Sequence, residues 1–251
     1  MSFVFITDPF FYAVAIPAVL LLGLSKSGFG AGFGALAVPL MALAVPVPQA
    51  AAILMPLLLV MDLQGIAVFR NDKNTSFLKL TIPFGLLGTL LGFLLFKVLS
   101  AKVVAMLVGI LTLLFLAQKL MFAPKANGIA PNKPLGAFLA TISGFTSFVA
   151  HAGGPPIQAY AIPLRMPPLM FTATMSYQFF VINLSKWIPY AFLGLLDWKN
   201  AMTSLLLLPL APIGVTIGVK IAKIIQPNLF YKLVYVGMFL TGIKLIYDGL
   251  F

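Results

Sequence analysis

Apolar residues run along this chain in blocks, five on each side of one polar stretch. The first blocks cover residues 10–24, 32–45, 49–69, 77–97 and 102–122, and the second set covers 135–150, 154–166, 168–196, 200–222 and 229–247. Between them lies 123–134, with Lys125, Asn127, Gly128, Asn132, Lys133 and three prolines. The first two blocks of each half reach only about 20–24 Å as helices, against a hydrocarbon core of about 30 Å. The later blocks are long enough to span. Each short pair meets at a joint rich in glycine: Gly28, Gly30, Gly32 and Gly34 in the first half, and Gly153-Gly154-Pro155-Pro156 in the second. The pattern predicts an all-α polytopic membrane protein made of two repeats of about five hydrophobic segments. The first two segments of each repeat are short, broken or re-entrant. The expected division is an N-terminal repeat 1–122, a cytoplasmic linker 123–134 and a C-terminal repeat 135–251.

The halves also correspond residue by residue. Pro83, Gly88 and Gly92 recur as Pro209, Gly214 and Gly218 at one spacing, and Gly23 and Gly32 recur as Gly144 and Gly153 at another. Duplicated halves with interrupted segments at matching places are a signature of secondary transporters.

Composition supports lipid as the solvent. Hydrophobic residues make up 61% of the chain and charged ones 8%, where a soluble domain carries about 25%. Such a chain cannot cover its own surface with polar groups. The absence of Cys and the single His remove disulfides, thiolate chemistry and any metal-ligand cluster, so no metal or cofactor is expected. The net charge of +11 does not point to nucleic acid, because Lys and Arg stand singly between apolar runs. Met1 to Asp8 has no basic segment, and no cleavable signal peptide is expected. If each half crosses the membrane an odd number of times, one side collects Lys26, Arg70, Lys73, Lys125, Arg165, Lys223 and others. The opposite side holds only Lys97, Lys102, Lys199 and Lys244. The positive-inside rule then predicts both termini outside and halves inverted relative to each other.

Three places could carry chemistry. The first is Ser25-Lys26-Ser27-Gly28-Phe29-Gly30-Ala31-Gly32-Phe33-Gly34, where a half-helix starting near Gly32 would aim free N–H groups at an anion. Close helix packing is the plainer reading of these glycines. It is not a P-loop, since the Gly-Lys-Ser/Thr ending is absent. The second is Ser147 through Gln158, with His151 beside Gly153 and Gly154. His151 either handles a proton or simply bonds a loop carbonyl. The third is polar residues inside long apolar runs: Asp62 in 49–69, and Lys186 with Asn183 one turn before it in 168–196. Asn183 matches Asp62 across the repeat. Either Asp62 and Lys186 form a structural ion pair, or Lys186 receives an anion while Asp62 or His151 carries a coupling proton. The Gly88/Gly92 and Gly214/Gly218 pairs are close helix contacts.

Together these residues resemble the sulfite exporter TauE/SafE family, also described as the 4-toluene sulfonate uptake permeases. The likeness rests on the glycine cluster leading into Leu36-Ala37-Val38-Pro39, on Arg70, and on the Gly88/Gly92 segment. In the second half it rests on Ser143-Gly144-Phe145-Thr146-Ser147 through His151-Ala152-Gly153-Gly154-Pro155, on Tyr190-x3-Gly194-x2-Asp197, and on the Pro209/Gly214/Gly218 segment. The resemblance implies export or uptake of sulfite, sulfonates or related organosulfur anions. One departure is His151, where many members have glycine.

The expectation is a non-enzymatic secondary transporter for a small organosulfur anion in a bacterial-type inner membrane, with protons as a possible coupling ion. An inside-negative potential favours anion exit by about 2.3 kcal/mol per charge per 100 mV, so export is favoured over uptake. The expected substrate-binding set is Ser27, Gly28, Gly30, Gly32, His151, Gly153, Gly154, Gln158, Asn183 and Lys186. Asp62 and His151 are the proton-coupling candidates. A gated anion channel and a non-transporting membrane assembly partner are the alternatives. A hydrolase would need a nucleophile–base pair or a metal cluster, and His151 alone supplies neither.

Overall fold

The computed structural model describes residues 4–26, 33–69, 73–121, 132–221 and 227–251. Among these residues the chain is helical and has no β-strand. The first half contains α1 (Pro9–Leu24), a 3-10 turn (Phe33–Leu36) running into α2 (Ala37–Met41), α3 (Val47–Phe69), α4 (Thr75–Phe96) and α5 (Ala101–Met121). The second half contains α6 (Lys133–Ala150), α7 (Gly154–Ala161) with a 3-10 turn (Ile162–Leu164), α8 (Pro168–Ser185), α9 (Trp187–Phe192), α10 (Trp198–Leu207), α11 (Leu210–Ile221) and α12 (Pro227–Leu250). Of the expected linker, 123–131 lies outside the described residues, and Lys133 and Pro134 belong to the first turn of α6.

Helix starts and breaks follow from local chemistry. Side-chain caps open equivalent helices in the two halves. Asp8 accepts from the Phe10 amide at 2.9 Å before α1, and Asn132 accepts from Leu135 at 2.9 Å before α6. Asn74 accepts from Phe77 at 3.0 Å before α4, and Asp197 accepts from Asn200 at 2.7 Å before α10. Two blocks expected to be continuous are broken. Pro189 has no N–H for the Ser185 carbonyl, and 168–196 divides into α8 and α9 with Lys186 at the joint. Pro209 divides 200–222 in the same way, into α10 and α11. The segments after the glycine joints, Phe33–Met41 and Gly154–Leu164, are too short to cross a bilayer as helices.

Among the described residues four stretches are long and apolar enough to span: Val47–Ala67, Thr75–Phe96, Ala101–Gln118 and Trp198–Ile217, the last crossing the Pro209 break. The outer faces of the helices are greasy. Leu87, Leu90, Leu91 and Leu94 of α4 are exposed, as are Leu205 and Leu206 of α10 and Phe239 and Leu240 of α12. Polar side chains lie inside instead: Asp62, Thr81, Thr174, Gln178 and Lys186 have no exposed surface at all. Apolar outside and polar inside is the arrangement lipid selects.

The helix packing maps onto itself when the halves are exchanged. α4 packs on α6 and α1 on α11, while α5 packs on α12 and α3 on α8. Repeated glycines make the two crossed contacts. A Cβ on Gly88 would strike the Thr141 carbonyl, and one on Gly144 the Gly85 carbonyl. At the other crossing, a Cβ on Gly23 would stand 2.6 Å from the Gly214 carbonyl carbon. The helices can approach this closely only because those positions lack side chains.

Candidate functional site

At the centre, where α3 meets α8, the two halves join through a chain of polar groups. Beyond Leu24 the chain widens into a turn at Ser25–Lys26, which brings the Lys26 ammonium onto Asp62 Oδ1 of α3. Lys26 Nζ also lies 4.6 Å from the centre of the Phe179 ring, within cation–π range. The other oxygen of Asp62 accepts from Asn183 Nδ2 at 2.5 Å. Asn183 Oδ1 in turn accepts from Lys186 Nζ at 2.8 Å. Lys186 donates further to the Ser147 carbonyl at 2.7 Å and the Ser147 hydroxyl at 2.8 Å, and lies 3.1 Å from His151 Nδ1. His151 Nε2 reaches the Ala51 carbonyl at 2.8 Å, a bond that fixes the proton on Nε2 and leaves Nδ1 as acceptor.

This arrangement corrects one of the two readings of Asp62. Its ion-pair partner is Lys26, not Lys186, and the Asn183 amide stands between Asp62 and Lys186. Lys26 is correspondingly not a loop charge, since its side chain is only 17% exposed.

Beside the chain lies a cavity of about 70 Å³. That is room for several waters or a small polyatomic anion. One wall is a stripe of α8, Phe171, Met175, Phe179 and Asn183, spaced one helical turn apart. The opposite wall is Leu22, Ser25 and Lys26, with Gly34 folded back so closely that a Cβ there would lie 3.1 Å from Ser25 Oγ. Ser147, His151, Gly154 and Gln158 close it from the second half. Gln158 is 5% exposed, and its side-chain amide makes no hydrogen bond among the described residues.

The expected site residues divide into groups. His151, Gly154, Gln158 and Asn183 line the cavity. Asp62 and Lys186 stand behind its wall with no exposed surface. Gly153 does not line it. A Cβ there would meet the Ser143 carbonyl at 2.7 Å, so this glycine serves close packing. Ser27, Gly28, Gly30 and Gly32 lie outside the described residues. The helix N-terminus at the second joint is a poor anion donor, because Pro155 and Pro156 remove two of the first three amides of α7. Ser25, Lys26 and Ser147 lay in the candidate stretches but outside the expected binding set, and Thr172 and Ser176 were passed over. Lys26 was legible in principle: it matches Ser147 at the same spacing that relates Asp62 to Asn183.

A family model, the sulfite exporter TauE/SafE, matches residues 15–245. The chain belongs to the TauE/SafE sulfite exporter family. Comparison with curated proteins and with solved structures gave no match. Membership makes this a multi-pass membrane transport protein of the sulfite-exporter type. The residues that carried the resemblance now have physical roles in this TauE/SafE chain. Tyr190 donates its hydroxyl to the Phe148 carbonyl at 2.8 Å, and Gly194 turns the chain at φ 68°. Asp197 caps α10. His151 closes α6 at φ 51°, a left-handed conformation that glycine adopts without cost.

Proposed function

We propose that this TauE/SafE protein carries a small organosulfur anion, sulfite or a sulfonate, out across a bacterial-type inner membrane, and that the central cavity is where the anion rests. The observation that carries this reading is Lys26. It is the one cation lining the cavity among the described residues, and it faces Ser25, Ser147, Ser176 and the unpartnered Gln158 amide around a space sized for such an ion. An ammonium with neutral donors around it is what a desolvated oxyanion needs. Lys186 supports the site from behind rather than touching the ligand, because it is fully enclosed by Ser147, His151 and Asn183. Export rests on the inside-negative potential.

Proteoliposome flux with sulfite, sulfate, thiosulfate and ethanesulfonate tests the reading. Saturable flux that is lost in Lys26→Met is expected. Flux that does not saturate and shows no counterflow would make the protein a channel. No flux of any of these anions would leave transport unsupported. The inverted arrangement with external termini is tested separately in the Cys-free chain. A cysteine placed at Lys73 should resist impermeant maleimide applied outside intact cells, and labelling there would overturn that topology.

A further inference from the structure

Four ionisable groups meet at the cavity and its back wall: Lys26 at the end of α1, Asp62 on α3, His151 between α6 and α7, and Lys186 between α8 and α9. Lys26 and Asp62 cancel in their ion pair. Around Lys186 Nζ stand Ser147 O, Ser147 Oγ, Asn183 Oδ1 and His151 Nδ1, all between 2.7 and 3.1 Å. Such a shell of acceptors suits an ammonium ion with three protons, and the imidazole beside it is then neutral. Among the described residues no carboxylate lies within ion-pair distance of Lys186, because Asn183 turns its N–H toward Asp62 and its oxygen toward Lys186. Residues 27–32, outside the described residues, carry no ionisable side chain. The cluster therefore sums to one positive charge, buried where an uncompensated charge costs several kcal/mol. Ser147, His151 and Asn183, the side chains that hold Lys186, are also cavity wall.

We infer that the cavity is charge-matched to a single monovalent anion: a sulfonate or hydrogensulfite, rather than the sulfite dianion, sulfate or thiosulfate. This rests on the anion-transport reading above and adds the valence of the cargo. One monoanion brings the cluster to neutrality. A dianion leaves a net negative charge in surroundings with little water to screen it. Asp62 is in this account a specificity-determining residue that acts by subtracting one charge, without needing to touch the ligand.

Calorimetric titration of the purified protein in detergent with ethanesulfonate, sulfate, thiosulfate and sulfite decides the matter. Ethanesulfonate stays a monoanion throughout and controls for titration of the protein. Relative to it, sulfate and thiosulfate should bind at least about tenfold more weakly. Sulfite should lose about tenfold in relative affinity per pH unit once it sheds its proton. Asp62→Asn raises the cluster to two positive charges and should shift the sulfate-to-ethanesulfonate affinity ratio toward sulfate by about tenfold or more. Wild-type protein that binds sulfate as well as ethanesulfonate overturns the inference even if Asp62→Asn fails to fold. So does a folded Asp62→Asn variant with an unchanged ratio. Binding of none of the anions would remove the transport reading first, and this inference with it.

Discussion

The two halves place side chains at the same positions around the centre but spend charge on them differently. In the first half, positions 26 and 62 are Lys and Asp, and they form an ion pair. In the second half the matching positions, 147 and 183, are Ser and Asn, and no charge sits on either. The second half instead has Lys186, whose counterpart in the first half is Gly65. A Cβ at Gly65 would press on Ser176 Oγ, so a side chain there would require that hydroxyl to move. Asp62 and Asn183, counterparts of each other, touch directly where the halves meet. The matched positions of the two halves thus differ in charge. The result is one half-buried cation at the cavity and one hidden behind it.

The largest expected effect breaks this difference at the cations. Lys26→Met strands the fully buried Asp62 and should cost about 3–5 kcal/mol, read by denaturant unfolding in detergent. Lys186→Met strands no carboxylate and should cost less, about 1–3 kcal/mol for the acceptors it leaves behind. Adding Asp62→Asn should restore stability to Lys26→Met without restoring flux. Equal losses in the two single variants would show that the halves are not electrostatically distinct.

A smaller effect separates the crossed helix contacts. Gly88→Ala drives a methyl into the Thr141 carbonyl, whereas the Cβ of Gly214 would sit 3.3 Å from Leu20 Cα. Overpacking of this kind costs about 1–3 kcal/mol. Gly88→Ala should therefore lower the melting temperature clearly more than Gly214→Ala. Next comes His151, held at φ 51°. His151→Gly should be more stable than His151→Ala by about 1–2 kcal/mol, because only glycine tolerates the left-handed turn. The smallest is Tyr190→Phe. It loses the hydroxyl bond to Phe148, with an expected cost of about 1 kcal/mol and no change in the order of anions transported.

Much of the fold was written in the apolar blocks, and the reason is lipid. A bilayer demands continuous helices, so block lengths report spans, and glycines at fixed spacing report close contacts. The breaks at Lys186 and after Leu207 were less visible, although Pro189 and Pro209 caused them. Hydropathy averages over a proline, while a hydrogen-bond ladder does not. At the site, Asp62, Asn183 and Lys186 stood out because polar residues in long apolar runs are costly. Lys26 did not, because it sits in a glycine-rich joint where a lysine reads as a loop charge. Which cation Asp62 would take was a matter of side-chain direction across two helices, and no spacing along the chain encodes that.

The crossed packing of α1 on α11 also has a consequence in time. Gly23 is among the first residues of the bundle to be made, and its partner Gly214 comes near the end. At synthesis rates of about 5–20 residues per second, α1 waits roughly 10–40 s for the surface it fits. Over that interval its bare glycine face is a vacant berth for any other helix in the membrane. By contrast, α4 and α6 follow each other closely in the chain and can dock as soon as both emerge. Neither half can therefore finish assembling by itself. The helix that locks α1 in place, α11, is made long after it.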